Sequence, residues 1–462
     1  MKLLISLFSS LLMLVGCNTS AEWNIKDYGA VPDGTTLNTK AIQSAIDACS
    51  LSGGGTVVVE GGDYVTATII IKDNVTLHIN KDARIIGTKD IYAYEMVDPF
   101  KDATGQLRGK CLIGALGAKN IGIEGQGVIE GNGEAFTNLY GEMIKKFDTK
   151  GMSFTEKRGL VCTSPFMVRF VGCDGISIKD VKMNQPGAWC VHLYECNDFV
   201  VDGLRIYSHA TRNNDGIDID SSSNGEIMNC DINSGDDAIC FKSTSPRTCE
   251  NVHVHDCKLS SGWGAIKFGT ESMGDMRNIL CENCEIYNTR GGGVKVLSAD
   301  GSNISNVTIR NLTMQNVEMP IFVRISERRR TYRDAKQRPV GSIKGLHISN
   351  IEAVVSPLAD LRMSPPSGIL VSGTPDHKIT DLTIENVNIT LPGGGTEADA
   401  KVVMPENIDQ YPEYSHLGVS PTYGMFVRNT EVFNYKNINF KLSGDDAREQ
   451  TKFQNVDKIN NL

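Results

Sequence analysis

Three aspartates in two short loops form the stretch of this sequence that is best suited to do chemistry. Asp215 lies in the first loop, and Asp236 and Asp237 lie together in the second. Each loop is followed by alternating apolar residues, which predict a strand. If these strands stack side by side, the three carboxylates meet at one edge of a sheet. Crowded carboxylates suit acid–base hydrolysis of a glycosidic bond, in which one protonates the leaving oxygen and another activates water.

Read singly, each of these loops is an ordinary turn containing Asp and Gly. The catalytic prediction therefore depends on the elements around them. A frame of alternating apolar residues around a central Asn, Asp or Gly recurs along the chain, as in GISIKDVKM from Gly175, NVHVHDCKL from Asn251 and DLTIENVNI from Asp381. Successive frames begin 23 to 39 residues apart. This period with strand alternation predicts an all-β fold, a β-helix, in a single domain spanning 21–462.

The segment before the repeats is predicted to cap one end of this β-helix. Asn38 is placed as the N-cap of one amphipathic helix, and the run Gly53–Gly55 is expected to end it. The apolar stripe of that helix consists of Ala41, Ile42, Ala45, Ile46 and Cys49. Strands are predicted to follow at 56–60, 66–71 and 75–79. Three insertions are expected to form the sides of a binding face, at 326–340, 356–367 and 392–423.

The N-terminus predicts export from the cytoplasm. Lys2 precedes an apolar run that is too short to span a bilayer and ends in Leu14-Val15-Gly16-Cys17, the pattern of a bacterial lipobox. Residues 1–20 are therefore expected to be a lipoprotein signal and tether, with Cys17 lipidated. The lipid would be the protein's only link to a membrane, in the periplasm or at the cell surface. An ordinary secretory signal cleaved near Ala21 is the alternative.

Composition limits the partners of this chain. The net charge of −9 over 462 residues argues against nucleic acid. Several of the 13 cysteines recur at strand ends in the frames, which favours interior thiols over disulfides. The one C-x-x-C pair, Cys281 and Cys284, has no second pair with which to bind zinc. We expect a monomer without a metal or another cofactor.

Taken together, these motifs resemble the polygalacturonase-type glycoside hydrolases, glycoside hydrolase family 28, over nearly the whole mature chain. The family's Asn-Thr-Asp-Gly motif appears as Asn213-Asn214-Asp215-Gly216, and its Gly-Asp-Asp motif as Gly235-Asp236-Asp237. The resemblance implies a right-handed parallel β-helix and an inverting reaction on pectin. It also implies that Asp236 is the general acid, while Asp215 and Asp237 position and deprotonate the water. Asn213 is expected to bind substrate.

Two motifs depart from the family pattern. Gly-His-Gly is replaced by Gly262-Trp263-Gly264, and Arg-Ile-Lys by Gly293-Val294-Lys295. We expect Trp263 to stack on a sugar ring and Lys267 to replace the missing cation. Lys295 and Arg324 are expected to bind the carboxylate of a uronic acid.

The predicted function is hydrolysis of α-linked galacturonic acid residues in pectic poly- or oligosaccharides. Loops near Tyr332 and Tyr411 to Tyr414 would close one end of the groove, which predicts an exo-acting enzyme. The alternatives are a β-helix hydrolase for another glycan, such as a rhamnose-containing pectin linkage, a polysaccharide lyase, or a carbohydrate-binding β-helix such as an adhesin. A lyase of this kind needs calcium and an Arg or Lys base, and a binding module has no need of three carboxylates.

Overall fold

The computed structural model describes residues 22–462, which wind into a right-handed parallel β-helix. Strands pair in parallel from one coil to the next and form three faces, called here sheet 1, sheet 2 and sheet 3. The predicted fold class is confirmed. The proposed signal and Cys17 lie outside the described residues.

The three sheets consist of the following strands. Sheet 1 contains Glu22–Asn24, Gly55–Val59, Val75–Ile79, Lys119–Glu124, Asp174–Lys179, Asn197–Asp202, Ser223–Met228 and Cys249–His255. Sheet 2 contains Asp33–Leu37, Gly62–Thr66, Ala83–Gly87, Val128–Glu130, Lys182–Asn184, Arg205–Ser208, Asp231–Ser234 and Lys258–Ser261. Sheet 3 contains Ile69–Ile70, Leu107–Leu116, Phe166–Val171, Val191–Tyr194, Ile217–Asp220, Ile239–Ser243, Ile266–Ser272, Val294–Ser298, Ile321–Ile325 and Ile369–Ser372.

Later coils have longer strands because the corner between sheets 1 and 2 becomes continuous. Four strands run through both sheets: Met276–Thr289, Asn303–Val317, Ser342–Val355 and Thr380–Leu391. Thr422–Leu442 and Glu449–Asn461 form the last coils, and Met96–Lys101 pairs antiparallel with Leu107–Leu116. Three long connections lie where insertions were predicted: 326–341 leaves sheet 3, and 356–368 and 392–421 lead into it from the ends of Ser342–Val355 and Thr380–Leu391.

The corners of the coils explain the repeated sequence frame. The first and sixth residues of the frame, such as Asn251 and Asp256, have φ of +57° and +52°. Asn, Asp and Gly enter this left-handed region at the lowest cost, so the frame selects them there. The Asn side chains of neighbouring coils also form hydrogen bonds with one another. Asn251 donates to Asn224 over 2.9 Å, and Asn278 donates to Asn251 over 3.0 Å.

The interior of the stack is filled by the inward residues of each strand. Ile217, Ile219, Ile239 and Phe241 are fully buried there, so the alternate residues of the same strands face outwards. The 12 cysteines of the described residues are buried and free, as the sequence predicted.

The N-terminal helix Thr39–Leu51 packs against the first coil and buries four residues of the expected stripe, Ile42, Ala45, Ile46 and Cys49, whereas Ala41 is half-buried. Asn38 occupies the N-cap position, but its side chain does not cap the helix. It binds the backbone of Val31 and Thr36 instead, which corrects the predicted capping role. The strand predicted at 66–71 is divided between sheets 2 and 3, because the chain turns a corner after Thr66.

The remaining helices are short and lie in connections. The α-helices are Leu139–Ile144 and Phe154–Arg158, and the 3-10 helices are Ile25–Tyr28, Ile91–Ala93, Gly133–Phe136, Leu358–Asp360, Asp399–Lys401 and Tyr414–His416. Within residues 22–462, no helix has the length and apolar character needed to cross a bilayer.

Candidate active site

The structure brings the three predicted aspartates together at one edge of sheet 3. Asp215 precedes the strand Ile217–Asp220, Asp236 and Asp237 precede Ile239–Ser243, and these strands pair in register. The backbone N–H of Gly216 donates to the carbonyl of Asp237 over 2.8 Å, which ties the two loops together. One carboxylate oxygen from each aspartate lies within 4.8 Å of the other two. Two adjacent coils therefore suffice to form the trio.

The three carboxylates differ in exposure. Asp215 and Asp237 are each only 2% exposed, whereas Asp236 is half-buried. Oδ1 of Asp215 and Oδ1 of Asp237 are buried and have no hydrogen-bond partner among the described residues. Both oxygens can still accept hydrogen bonds, and the more exposed Asp236 is the carboxyl most accessible to a glycosidic oxygen.

Burial and crowding raise the pKa values of the two buried members of the trio, Asp215 and Asp237. Burial, followed by the charges of Asp218 and Asp236, raises the pKa of Asp215 well above its usual range. Burial raises the pKa of Asp237 to about 6, although the ammonium group of Lys267, 2.8 Å from Oδ2, opposes this shift. A carboxyl with a pKa near the operating pH can both accept and release protons, as acid–base catalysis requires.

A fourth buried carboxyl and a lysine support the trio, and sequence reasoning missed both. Asp218 is fully buried on the outer face of sheet 3, and burial raises its pKa to about 8. Nζ of Lys242 lies 3.4 Å from carboxylate oxygens of both Asp215 and Asp218, and 3.3 Å from Glu271. The alternation of Ile and Asp in the strand Ile217–Asp220 was the available signal, because it places Asp218 on the outer face.

Asn213 contacts Asp236, the half-buried carboxyl of the trio, and its predicted contact with substrate stays a prediction. Its side-chain amide donates to Oδ2 of Asp236 over 3.3 Å. Its Oδ1 accepts hydrogen bonds from Gln106 at 2.9 Å and from Arg108 at 3.2 Å. Arg108 is buried and is itself fixed by Asp102 at 2.8 Å. This chain of contacts determines which end of the Asn213 amide faces Asp236.

A cleft of about 630 Å³ opens beside Asn213. Its walls include three aromatic side chains, Phe136, Tyr140 and Phe154, and two arginines, Arg158 and Arg212. Arg158 donates to the carbonyl of Thr104, and Arg212 is exposed with no side-chain partner among the described residues. Neither arginine forms an ion pair within residues 22–462. The cleft thus offers sugar-sized space and two unpaired cations next to the trio.

On the other side of the trio, Lys267, Lys295 and Trp263 all contact Glu413. Glu413 belongs to the long connection 392–421. Oε2 of Glu413 lies 2.7 Å from Nζ of Lys295, and Oε1 accepts from the indole N–H of Trp263 at 2.8 Å. Nζ of Lys267 lies 3.8 Å from Oε1 of Glu413. Glu413 and Lys295 are essentially fully buried. We call these four residues the Glu413 wall.

Trp263 and Lys295 are therefore near the site but already have protein partners. The Trp263 ring has Nζ of Lys295 4.8 Å and Cζ of Arg362 4.7 Å from its centroid. Burial lowers the pKa of Lys295, although the charge of Glu413 opposes the shift. Sequence reasoning missed Glu413, because it lies 118 residues from Lys295 in an insertion without a repeat frame. The predicted substrate contacts of Trp263, Lys267 and Lys295 stay predictions.

Arg324 lies beneath the connection 392–421. It is 1% exposed and donates to Ser372 Oγ at 2.8 Å and to the carbonyls of Glu406 and Asn407. These contacts make Arg324 an anchor for the connection that carries Glu413. Substrate binding by Arg324 stays a prediction, and its hydrogen bonds favour the structural role.

Three carboxylates at this spacing have the chemistry to hold a hard cation. In this site, however, the ammonium groups of Lys242 and Lys267 lie 3.4 Å from Asp215 and 2.8 Å from Asp237 and already balance much of the negative charge. A second group of possible metal ligands, Glu226, His253 and His255, lies on the outer face of sheet 1, away from the trio.

Comparison with known proteins gives consistent matches. The model for glycosyl hydrolases family 28 matches residues 57–408, and that for rhamnogalacturonase A/epimerase, pectate lyase-like, matches residues 23–87. The exo-poly-alpha-D-galacturonosidase of Dickeya chrysanthemi is 28% identical over 251 residues, which cover 47% of this chain and 41% of that protein. The match thus spans less than half of that relative. A probable exopolygalacturonase X of Neosartorya fischeri is 24% identical over 387 residues, covering 78% of this chain and 82% of that protein.

Among solved structures, the family 28 exopolygalacturonase of Yersinia enterocolitica superimposes with a TM-score of 0.74 at 20% identity, covering 95% of this chain and 78% of that chain. At this identity the likeness concerns the fold. Membership rests on the family model, which matches most of the chain and includes both aspartate loops and the coils on either side. The chain belongs to the glycosyl hydrolases family 28.

Proposed function

We propose that this protein is an exo-acting glycoside hydrolase that cleaves α-linked galacturonic acid residues from pectic poly- or oligosaccharides. The observation that carries the proposal is the position of the trio Asp215, Asp236 and Asp237 beside a cleft with two unpaired arginines. A uronic acid carries one carboxylate per residue, and arginine binds carboxylates with paired hydrogen bonds. The names of the family relatives support the same substrate class.

In the proposed reaction, Asp236 donates its proton to the glycosidic oxygen, because it is the most exposed of the three. Asp215 and Asp237 hold the attacking water through their free Oδ1 atoms, and one of them removes its proton. Lys242 and Lys267 stabilise the negative charge that remains on this pair. The chain needs no metal in this scheme, since every step is a proton transfer or an attack by water.

We further propose inversion of the anomeric centre. Inverting glycosidases typically separate their two carboxyl groups by roughly 6.5–9.5 Å. The trio is tighter, with oxygens within 4.8 Å of one another. Inversion is favoured because two carboxylates, rather than one, offer a free oxygen to a single water. A retaining enzyme would instead use one of them as a nucleophile, and both are almost completely buried.

Exo action is proposed because the Glu413 wall closes one side of the trio, while the cleft opens on the other side. The helices Leu139–Ile144 and Phe154–Arg158 stand at the cleft, and the connection 392–421 covers the opposite side. A groove that is blocked at one end admits the end of a chain rather than its middle. The relatives named as exo-acting support this part of the proposal.

The test is a panel of pectic oligosaccharides, with products identified by mass. Release of single galacturonic acid residues is the expected result, and proton NMR of the first product formed should show the β-anomer. EDTA should leave the rate unchanged. Unsaturated products with a requirement for calcium would indicate a lyase, and binding without turnover would indicate a carbohydrate-binding β-helix.

A further inference from the structure

Two histidines, His253 and His255, lie side by side on the outer face of sheet 1. They alternate with the buried Val252 and Val254 in the strand Cys249–His255, so both imidazoles point out of the coil. Their ring centroids are 4.3 Å apart. Two imidazoles this close on one strand can bind the same metal ion, and imidazole is the side chain that most often does so.

A carboxylate from the preceding coil completes the group. Glu226 in the strand Ser223–Met228 pairs directly with His253, and its Oε1 lies 3.2 Å from Nε2 of His255. One ligand atom from each of the three residues lies within 4.8 Å of the other two. Nitrogen and oxygen ligands bind zinc at roughly 2.0–2.2 Å, which places them about 3.3 Å from one another in a tetrahedron. Small movements of exposed side chains therefore suffice to bring the group to that geometry.

A further residue, Asp256, determines which nitrogen of His255 is free to bind. Oδ2 of Asp256 lies 2.6 Å from Nδ1 of His255. A carboxylate in this place keeps the proton on Nδ1 and leaves the lone pair on Nε2, as it does in most metal-binding histidines. Nε2 of His255 and Oε1 of Glu226 are then two acceptors 3.2 Å apart. Either a proton or a metal ion between them satisfies both.

An isolated pair on the same sheet shows what is particular to this group. Nε2 of His347 lies 2.9 Å from Oε1 of Glu385, in the neighbouring coil. His253 makes a similar contact, since its Nε2 lies 3.0 Å from Oε1 of Glu282 in the following coil. One histidine and one glutamate on adjacent coils are thus an ordinary ion pair in this protein. The group with Glu226 differs because a second imidazole shares the same carboxylate.

We propose that Glu226, His253 and His255 form a structural site for a divalent metal ion of the zinc type, with water as the fourth ligand. Imidazole together with carboxylate suits zinc, whereas calcium and magnesium prefer ligand sets of oxygen alone. The strand of Glu226 directly follows Ile217–Asp220, and the strand of the two histidines directly follows Ile239–Ser243. The metal therefore joins the same two coils that carry the aspartate trio, through a different face of the β-helix. This inference goes beyond galacturonoside hydrolysis and does not depend on it.

The test is a zinc titration of the mature protein, purified without a histidine tag and treated with EDTA, in competition with a chromophoric zinc chelator. We expect one zinc ion per chain at this site, and neither calcium nor magnesium should compete. The unfolding temperature should rise by about 3 °C at a hundredfold excess of zinc over the dissociation constant. Asp256→Asn suits the left-handed corner at this position and should weaken binding by about ten- to a hundredfold. His255→Gln removes a ligand and should weaken binding at least as much.

His347→Gln is the matched control, because it removes an imidazole from the isolated pair on the same sheet. It should bind zinc as wild type does. Anomalous diffraction at the zinc absorption edge should place the ion between Glu226, His253 and His255. Wild type that binds no zinc, an equal loss of affinity in His347→Gln and His255→Gln, or zinc located only at the aspartate trio would each overturn the inference. Hydrolysis of pectic oligosaccharides is measured separately, so the proposed function stands or fails on its own result.

Discussion

The side-chain amide of Asn213 donates a hydrogen bond to Oδ2 of Asp236 over 3.3 Å. The backbone N–H of Asp237 donates to the other oxygen of the same carboxyl over 3.0 Å. Asp236 is therefore held in one orientation from two sides, although it is the most exposed member of the trio. A proton donor that is positioned before substrate binds needs less rearrangement in the transition state.

Replacement of Asp236 by Asn should lower kcat by about 10²- to 10⁴-fold, the range that a general acid typically contributes. Asn keeps the size and one of the two hydrogen bonds that Asp236 accepts, so the unfolding temperature should stay within a few degrees of wild type. Asp231→Asn, at an exposed position of the preceding strand, is the control and should keep full activity. An Asp236→Asn variant with most of the wild-type kcat would show that another group donates the proton.

Lys267→Met should move the acidic limb of the activity profile to higher pH. Lys267 lowers the pKa of Asp237, which burial raises to about 6, so loss of the lysine raises this pKa further. A base must be ionised to accept a proton, and kcat/KM should therefore begin to fall at a higher pH than in wild type. Lys258→Met, on the surface, should leave the limb in place. A limb that moved to lower pH would rule out Asp237 as the base.

Lys295→Met should destabilise the protein by about 3–5 kcal/mol, because it leaves the carboxylate of Glu413 buried without its partner. The double variant Lys295→Met with Glu413→Gln should recover most of this loss, since no unpaired charge remains. Chemical unfolding of the two variants measures the stability lost in Lys295→Met and the stability regained in the double variant. Lys258→Met breaks an exposed pair with Glu285 and should cost no more than about 1 kcal/mol. Equal effects of Lys295→Met and Lys258→Met would contradict the buried pair.

If Cys17 is lipidated as the lipobox predicts, Cys17→Ser should move the protein from the membrane fraction to the soluble fraction when it is expressed in a bacterium. Stable anchoring of a bacterial lipoprotein requires several acyl chains on this cysteine, because a single chain binds only marginally. Fractionation followed by mass spectrometry of the N-terminus measures the outcome. Wild-type protein that is already free in the periplasm, with Cys17 unmodified or removed, would favour the ordinary secretory signal instead.

The sequence predicted those features that depend on neighbouring coils. The stacking of Asp215 with Asp236 and Asp237 follows from two strands of known alternation, one coil apart. It did not predict Glu413, which reaches Trp263 across 150 residues through a connection without periodicity. The predicted capping role of Asn38 failed for a similar reason, because its side chain binds the backbone of Val31 instead of the end of the helix. The local sequence pattern thus predicts how the coils stack. The Glu413 wall depends on long-range contacts made by irregular segments, which the pattern does not reveal.

The position of Glu413 so late in the chain also affects the order in which the protein is built. Coils of a solenoid contact mainly their neighbours, so the coils with the three aspartates can stack while later residues are still being synthesised. The connection 392–421 comes afterwards and depends on anchors such as Arg324 and Arg428, which bind its backbone from late coils. A chain stalled before this connection would carry the acid–base groups with an unfinished binding surface. The contact of Glu413 with Lys295 is therefore expected to form only after the coils that carry the three aspartates have stacked.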